Sequence, residues 1–422
     1  MDRHALLTLS LVSRMFRDIA QPVLYHEFTP GYGHSLKSTA YIWDRRLISF
    51  MRTVARRPDL AKLTKRFYIH HYLIKDIDVG DAMHALYEAA HGMGYDLSHR
   101  SFGESPMLLR FLSSPLNVTK DLKAPILRGG LKSKEEPTQR QRRWMDAELV
   151  SMVIAQLPTL EHLSLCVAPY GPGDCAPPSA LEVLGISSLS IRTMDIFLDA
   201  DDSDMGFDLE TGLRSLLRWS LQLTAIYLHK CAATFNRVPI ISLPRLSNIR
   251  MTESRIGEGG LESLLNSSPC LRTFFYEAAY SEDWNEGLNG RYHFQSFHAI
   301  DALGRHCEIL ELLHLDLKEW DAVLAAHGRD IPPFPSPKNF TSLRRLFLRA
   351  TAIFLNRPGL SEDHKLLIDI LPRSLVSLHI GDDFGEILSR LANALLGLAD
   401  VVTSPKHHGE QHFPRLREIR CD

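Results

Sequence analysis

The stretch "DADDSDMGFDLE" over 199–210 gathers hard-oxygen side chains closely enough to suggest a cation loop. Asp199, Asp201, Ser203 and Glu210 fall at the first, third, fifth and twelfth places of that window, where a calcium loop sets its ligands. The sixth place needs glycine for the sharp turn and holds Asp204 instead. The window also follows a strand pattern, whereas such a loop follows a helix. A solvated loop is expected, with Asp208 and Glu210 as an acidic start to the next helix.

Other reactive side chains are equally scattered. His70-His71, His293 with His298, and His407-His408 lack the spacing and acidic partner of a metalloprotease helix. They are expected at surfaces or strand edges. Cys166, Cys231, Cys270 and Cys307 sit beside the starts and ends of strand patterns, where buried structural thiols are usual. "GEGG" at 257–260 reads as a loop before a helix, without the Lys-Ser/Thr of a phosphate loop. No nucleophile elbow or dinucleotide fingerprint occurs. Neither a metal nor a cofactor is expected, and no catalytic residue is assigned. An enzyme would need its site in the 70–143 region, where no catalytic constellation stands.

The 422 residues are 45% hydrophobic and 23% charged, with a formal net charge of −2. This balance gives no reason to expect nucleic acid, whose phosphates favour a basic surface. The arginine pairs Arg45-Arg46 and Arg56-Arg57 read as solvated helix faces. Six cysteines without a C-x-x-C pair fit a reducing compartment better than a disulfide scaffold. No secretory pattern opens the chain, and no run of about 18 apolar residues suggests a membrane span. Cytoplasm or nucleus is the expected location, with no membrane partner.

The elements that would position any site are repeated. "LEHLSL" begins at Leu160, "IRTMDI" at Ile191, "LTAIYL" at Leu223, "LSNIRM" at Leu246 and "LRTFFY" at Leu271. "LELLHL" follows at Leu310, "LRRLFL" at Leu343, "LVSLHI" at Leu375 and "LREIRC" at Leu416. Apolar or aromatic residues hold the first, fourth and sixth places. The alternation across the last three is that of a half-buried strand. Proline precedes several copies, at Pro158, Pro244, Pro269, Pro372 and Pro414, where it ends a helix and extends its neighbour.

Helical stripes lie upstream: Leu149, Val150, Val153, Ile154 and Leu157; Leu209, Leu213, Leu216 and Leu217; Leu261, Leu264 and Leu265; Leu366, Leu367, Ile370 and Leu371. The unit is helix, proline turn, strand, loop. From Leu160 to Leu416 eight steps span 256 residues, a mean of 32, with single steps from 23 to 41. An earlier unit is expected at "LTKRFYIHHY", with Leu63, Phe67 and Ile69 in the strand places and Leu47, Phe50, Met51 and Val54 on the preceding helix. Residues 100–143 do not fit the period; "LKSKEEPTQRQRR" reads as an exposed insertion or loop. "IPPFPSPKNF" at 331–340 reads as a proline-rich rim loop.

This pattern resembles the irregular leucine-rich repeats found attached to F-boxes. The phrase from Leu223 extends to L-x-x-I-x-L-x-x-C, ending at Cys231, where that family turns the chain after the strand with Cys or Asn. "HCEILELLHLDL" is another phrase close to the family. The expected fold is therefore α/β: a solenoid with parallel strands on its concave face and helices on its convex face. It occupies 29–422, most clearly 144–422. No polar capping unit is visible after the last strand.

The opening of the chain adds a second resemblance. Residues 4–20 place Ala5, Leu9, Val12, Phe16 and Ile19 on one helical stripe, widened by Leu6, Leu11 and Met15. Pro22 is expected to stop that helix and start a short one, "PVLYHEF". The run Leu9-Ser10-Leu11-Val12-Ser13-Arg14, then Phe16, then Pro22-Val23-Leu24-Tyr25, resembles the second and third helices of a fungal F-box. Residues 1–28 would form a partial F-box. The first helix of the family, opening on Leu-Pro, is not seen before Met1. Either the natural protein starts upstream or the adaptor interface has been lost.

The resemblance implies a substrate-recognition subunit of a Skp–cullin–F-box ubiquitin ligase. Leu9, Leu11, Val12, Phe16, Pro22, Leu24 and Tyr25 would hold the Skp-family adaptor, and through it the cullin ligase. Outward strand residues would bind a protein substrate: Glu161, His162 and Ser164; Tyr227 and His229; Arg344, Arg345 and Phe347; Ser377 and His379. The alternative is a leucine-rich-repeat interaction scaffold that no longer binds the adaptor.

Overall fold

The computed structural model describes residues 3–29, 46–70, 73, 79–93, 149–167, 181, 185–198, 206–233, 241–279, 294–318, 332–354, 363–381, 385, 387–403 and 412–421. The expected insertion at 100–143 and the acidic places 199–205 lie outside them. The fold is α/β, and its large parallel sheet holds eleven strands. The chain divides into two compact units.

The second unit comprises 169–171, 196–210 and 224–422. Within the numbering β1 Glu27–Phe28, β2 Arg66–Ile69, β3 His162–Val167, β4 Thr193–Leu198 and β5 Phe207–Asp208, its main strands begin at β6, Ala225–His229. After the short β7 (Cys231–Ala233) come β8 Asn248–Ser254, β9 Thr273–Ala278, β10 Leu312–Asp316, β11 Arg345–Arg349, β12 Ser377–Gly381 and β13 Glu418–Cys421. They lie side by side in the order β6-β8-β9-β10-β11-β12-β13, each pairing parallel to the next. The small β5–β7 pair stands apart.

All nine repeated phrases become strands, and one hydrogen-bond rule sets their register. The second residue of a phrase offers its carbonyl to two amides of the following phrase. Thus Thr224 accepts from Ser247 and Asn248, Ser247 from Arg272 and Thr273, and Arg272 from Glu311 and Leu312. Glu311, Arg344 and Val376 continue the series. A one-residue slip would turn every apolar side chain outward, so the alternation and this ladder enforce each other. The inward row is fully buried: Ile226, Ile249, Phe274, Leu313, Leu346 and Leu378.

Small hydroxyl side chains lock the turn before the strand. Ser342 donates to the Glu308 carbonyl, and Ser374 to those of Phe340 and Leu343. After the strand, Cys231 donates its amide to Ser254 Oγ (3.1 Å) and its carbonyl accepts from Arg255 (2.7 Å). The buried Tyr276 hydroxyl donates to the Ser254 carbonyl at 2.8 Å, and burial pushes its ionisation upward.

Helices carry the crossovers. Glu258–Ser267, Ser296–Leu303, Asp363–Ile370 and Leu388–Thr403 bury their apolar stripes. The last two approach closely at Gly397, where a Cβ would run into the His364 carbonyl. "GEGG" is not a loop: Gly257 caps a helix whose first turn is Glu258-Gly259-Gly260. The rim loop packs inward at Phe334, Pro337 and Phe340. Asp208 belongs to β5, so the helix Leu209–Trp219 starts after it.

The first unit comprises 1–168, 172–195 and 211–223. β1 pairs parallel with β2, and β2 with β3. The helix Arg46–Arg56 buries Leu47, Ile48, Met51 and Val54. A helical run at 149–155 buries Leu149, Val153 and Ile154. The amides of Arg192 and Thr193 donate to the Glu161 carbonyl, repeating the register rule.

The opening departs from expectation. The chain forms helices Arg3–Val12 and Arg14–His26, which pack on each other, and the break falls at Ser13. Ser13 is extended (φ −154°, ψ 165°), and its hydroxyl accepts the Phe16 amide at 3.2 Å. A serine that caps a helix start releases an orphan amide from its cost, and this outweighs the continuous apolar stripe. Pro22 does not end the helix; it lies inside Arg14–His26. Ser13 thus divides the stripe between two helices.

Candidate functional site

The outward row of the second unit is built from the fifth place of each phrase. Parallel register sets Tyr227 beside Arg250, Arg250 beside Phe275, Phe275 beside His314, His314 beside Phe347, Phe347 beside His379, and His379 beside Arg420. The middle of this row is a stack. The Arg250 guanidinium lies 4.4 Å from the Phe275 ring centre. Phe275 and His314 stack at 3.9 Å and 13°, and His314 and Phe347 at 4.0 Å and 11°. His379 meets Phe347 edge-on at 4.8 Å and 82°.

This geometry follows from the sheet. Neighbouring strands lie about 4.8 Å apart, and outward side chains stand perpendicular to the sheet. Rings at matched places must then stack or clash. Because the faces of the middle rings are turned toward each other, a partner meets their edges. Those edges carry the positive rim of the aromatic quadrupole.

Electrostatics keep the centre uncharged. Burial pushes the His314 imidazole down to about 4, against the upward pull of Asp316, with His379 and Arg250 lowering it further. Its Nε2 lies 3.7 Å from Glu277 Oε1. Burial, then the Asp316 charge, raises the Glu277 carboxyl. Asp316 accepts from Arg349 Nε at 2.6 Å. The stack is thus flanked by Glu277 and the Asp316–Arg349 pair on one side. Arg345 is exposed on the other.

The expected substrate-contacting residues fall into separate groups. Tyr227, Phe347 and His379 belong to the outward row. Tyr227 is exposed; Phe347 and His379 are half-buried. His229 lies two places along β6, its Nδ1 3.0 Å from Thr252 Oγ1, and burial lowers its basicity. Arg344 and Arg345 are exposed at the start of β11. The Ser377 hydroxyl donates to Glu418 at 2.8 Å.

In the first unit, Glu161 accepts from Lys65 Nζ at 2.9 Å, which holds its carboxyl below the ordinary range. His162 Nε2 stands 3.3 Å from Asp195 Oδ2, and its ring centre is 5.2 Å from that of Tyr68. Ser164, expected to face outward, is instead buried, at the place registered with Tyr68 of β2.

Arg250, Phe275, His314 and Arg420 were not among the expected contacts. The signal that finds them is their common fifth place in the phrases. One further expectation changes: Cys270 is exposed rather than buried. His70, at the end of β2, is buried, as is His306. Among the described residues no disulfide forms, and no group of three or more His, Cys, Asp or Glu could hold a metal ion. Among them, too, no helix is long and apolar enough to cross a membrane.

The opening helices present the other candidate surface. Leu9, Leu11, Val12 and Phe16 are exposed, as are Met15, Ile19 and Val23; Leu11 is 80% exposed. Pro22 is exposed, and Leu24 and Tyr25 are half-buried. Burial raises the Tyr25 hydroxyl, opposed by the Arg57 charge. Leu6 and Ala20 alone among the large and small apolar groups described here are buried. No protein-family model matches the chain, and no curated protein sequence does.

Proposed function

We propose that this chain is the substrate-recognition subunit of a Skp–cullin–F-box type ubiquitin ligase, with no catalysis of its own. The repeated strand-and-helix units are read as an irregular leucine-rich-repeat solenoid, and the opening helices as a partial F-box. The observation that carries the reading is the exposed apolar row Leu9, Leu11, Val12, Met15, Phe16 and Ile19. It coincides with the residues that resemble the F-box, and uncovered aliphatic side chains gathered in one segment mark a protein-binding surface. The adaptor would cover them. The outward row Tyr227–Arg250–Phe275–His314–Phe347–His379 would hold the substrate, since aromatic and arginine side chains concentrate binding energy at interfaces. Rings already fixed by stacking lose little freedom on binding.

Calorimetric titration of the purified chain with a fungal Skp-family adaptor tests the reading. One-to-one binding, abolished by Leu11→Asp and unchanged by Phe347→Ala, is the expected result. A folded chain that ignores the adaptor, both as written and with upstream sequence restored, leaves the alternative of a repeat scaffold outside any ligase.

A further inference from the structure

The outward face of the second unit holds more than the stacked row. Strand residues two apart share a face, so the third place of each phrase lies beside the fifth, and the seventh lies beyond it. Register sets Asn248, Thr273, Leu312, Arg345 and Ser377 in line at the third place. Glu277, Asp316 and Arg349 hold the seventh.

The two sides of the stack use their charges differently. At the seventh place Arg349 Nε donates to Asp316 at 2.6 Å, and Glu277 Oε1 lies 3.7 Å from His314 Nε2. Arg250 and Arg345 are exposed, and among the described residues neither forms an ion pair. The Arg250 guanidinium covers one face of Phe275, and His314 covers the other. The floor between the two arginines is Thr273, Leu312, Phe275, His314 and Phe347. It carries no charge at neutral pH, because burial keeps His314 unprotonated.

We infer that the band between the third and fifth places binds an extended acidic peptide, with Arg250 and Arg345 each forking one aspartate or glutamate carboxylate. This rests on the reading of the outward row as the substrate surface and names the chemistry of what it holds. A guanidinium meets a carboxylate through two parallel hydrogen bonds. The ring edges between the arginines present a positive rim, which suits an anionic peptide and opposes a cationic one. Arg250 and Arg345 stand three strand spacings and two residues apart, about 16 Å along the sheet. That is too far to gather on one phosphate, as arginine clusters do. It matches about five residues of extended peptide. Glu277 and Asp316 repel such a peptide from the seventh place and so confine it to the band.

Selection from a bead-bound library of random twelve-residue peptides, with phosphoserine among its building blocks, tests the inference on the purified full chain. Enriched peptides are expected to carry two aspartates or glutamates about five positions apart, with small or apolar residues between them. Arg345→Glu should weaken the best of them about tenfold, the worth of one hydrogen-bonded charge. Lys338→Glu, an equal change of net charge on the exposed turn Pro337–Asn339, should leave its binding unchanged. The double exchange Arg250→Glu with Arg345→Glu should turn the selection toward lysine and arginine, which a merely structural role could not do. Enrichment of basic, uncharged or phosphoserine-dependent peptides would overturn the acidic preference. If Phe347→Ala also abolished their binding, the outward row would stand as the substrate surface with a different chemistry. Acidic peptides indifferent to Arg345→Glu, or no enrichment at all, would overturn the inference as well. Adaptor binding is read separately by calorimetry and bears on the ligase reading alone.

Discussion

Two leucines show how differently this molecule treats the same side chain. Leu378 in β12 is fully buried, whereas Leu11 in the first helix is 80% exposed. The strand array covers its inward row with crossover helices and leaves outward only groups that support one another, as Phe275, His314 and Phe347 do. The opening helices cover Leu6 and Ala20 but leave Leu9, Leu11, Met15 and Ile19 without such support. The lesson is that exposure means different things in the two regions. On the array the exposed rings are already fixed by their neighbours; on the helices the exposed aliphatic side chains have no such stacking.

The difference can be broken by the same substitution in both places. Leu378→Ala is expected to lower stability by about 2–5 kcal/mol, the cost of a core leucine with its cavity. Urea denaturation should show the shift in midpoint. A neutral result there would mean that the array core is loosely packed.

Acidification should come next in size. His314 is held neutral in the folded state, with its folded value down at about 4 against about 6.5 in the unfolded chain. Its contribution is therefore complete above about pH 6.5 and is lost as pH falls toward 4, because the unfolded chain takes the proton first. The loss is about 2–3 kcal/mol. His229 and His306, also lowered by burial, act in the same direction, whereas the raised Glu277 acts in the opposite one. His314→Asn should shrink the stability change between pH 7 and pH 4; an unaltered pH profile would show that the stack does not exclude the charge.

Removing one ring sharpens the account of the outward surface. Phe347→Ala takes away a partner of both His314 and His379. A loss of about 1–2 kcal/mol is expected from the lost stacking and area. NMR titration should also find His314 more basic in that variant, since water then reaches its ring. The smallest effect belongs to the opening helices: Leu11→Ala should change stability by less than about 0.5 kcal/mol. A larger loss would show that Leu11 supports the fold rather than a partner.

Much of the array was legible beforehand. Each of the nine phrases forms a strand, and their fourth and sixth places point inward where described, because a strand alternates its faces. The prolines at 158, 269 and 372 stand where helices have ended. The helix Leu388–Thr403 was less visible, since the repeated phrase does not announce it. Ser13 was misleading for a plainer reason. An apolar stripe can continue in sequence across a capped break, and only the cap geometry reveals the break.

The candidate surface was legible only as a position, not as an arrangement. The sequence by itself determined which side chains leave the inward row, because the two-residue period of a strand is local. It also determined the repeated unit, because each phrase carries its own turn and strand signals. Only the tertiary structure decided that Phe275, His314 and Phe347 form one stack, that the imidazole between the two rings loses its charge, and that Ser164 is closed over. Those outcomes depend on neighbours supplied by adjacent strands, 39 and 33 residues apart along the stack. Ring contact and burial act across a few ångströms of space, and no local pattern encodes which distant residue will stand there.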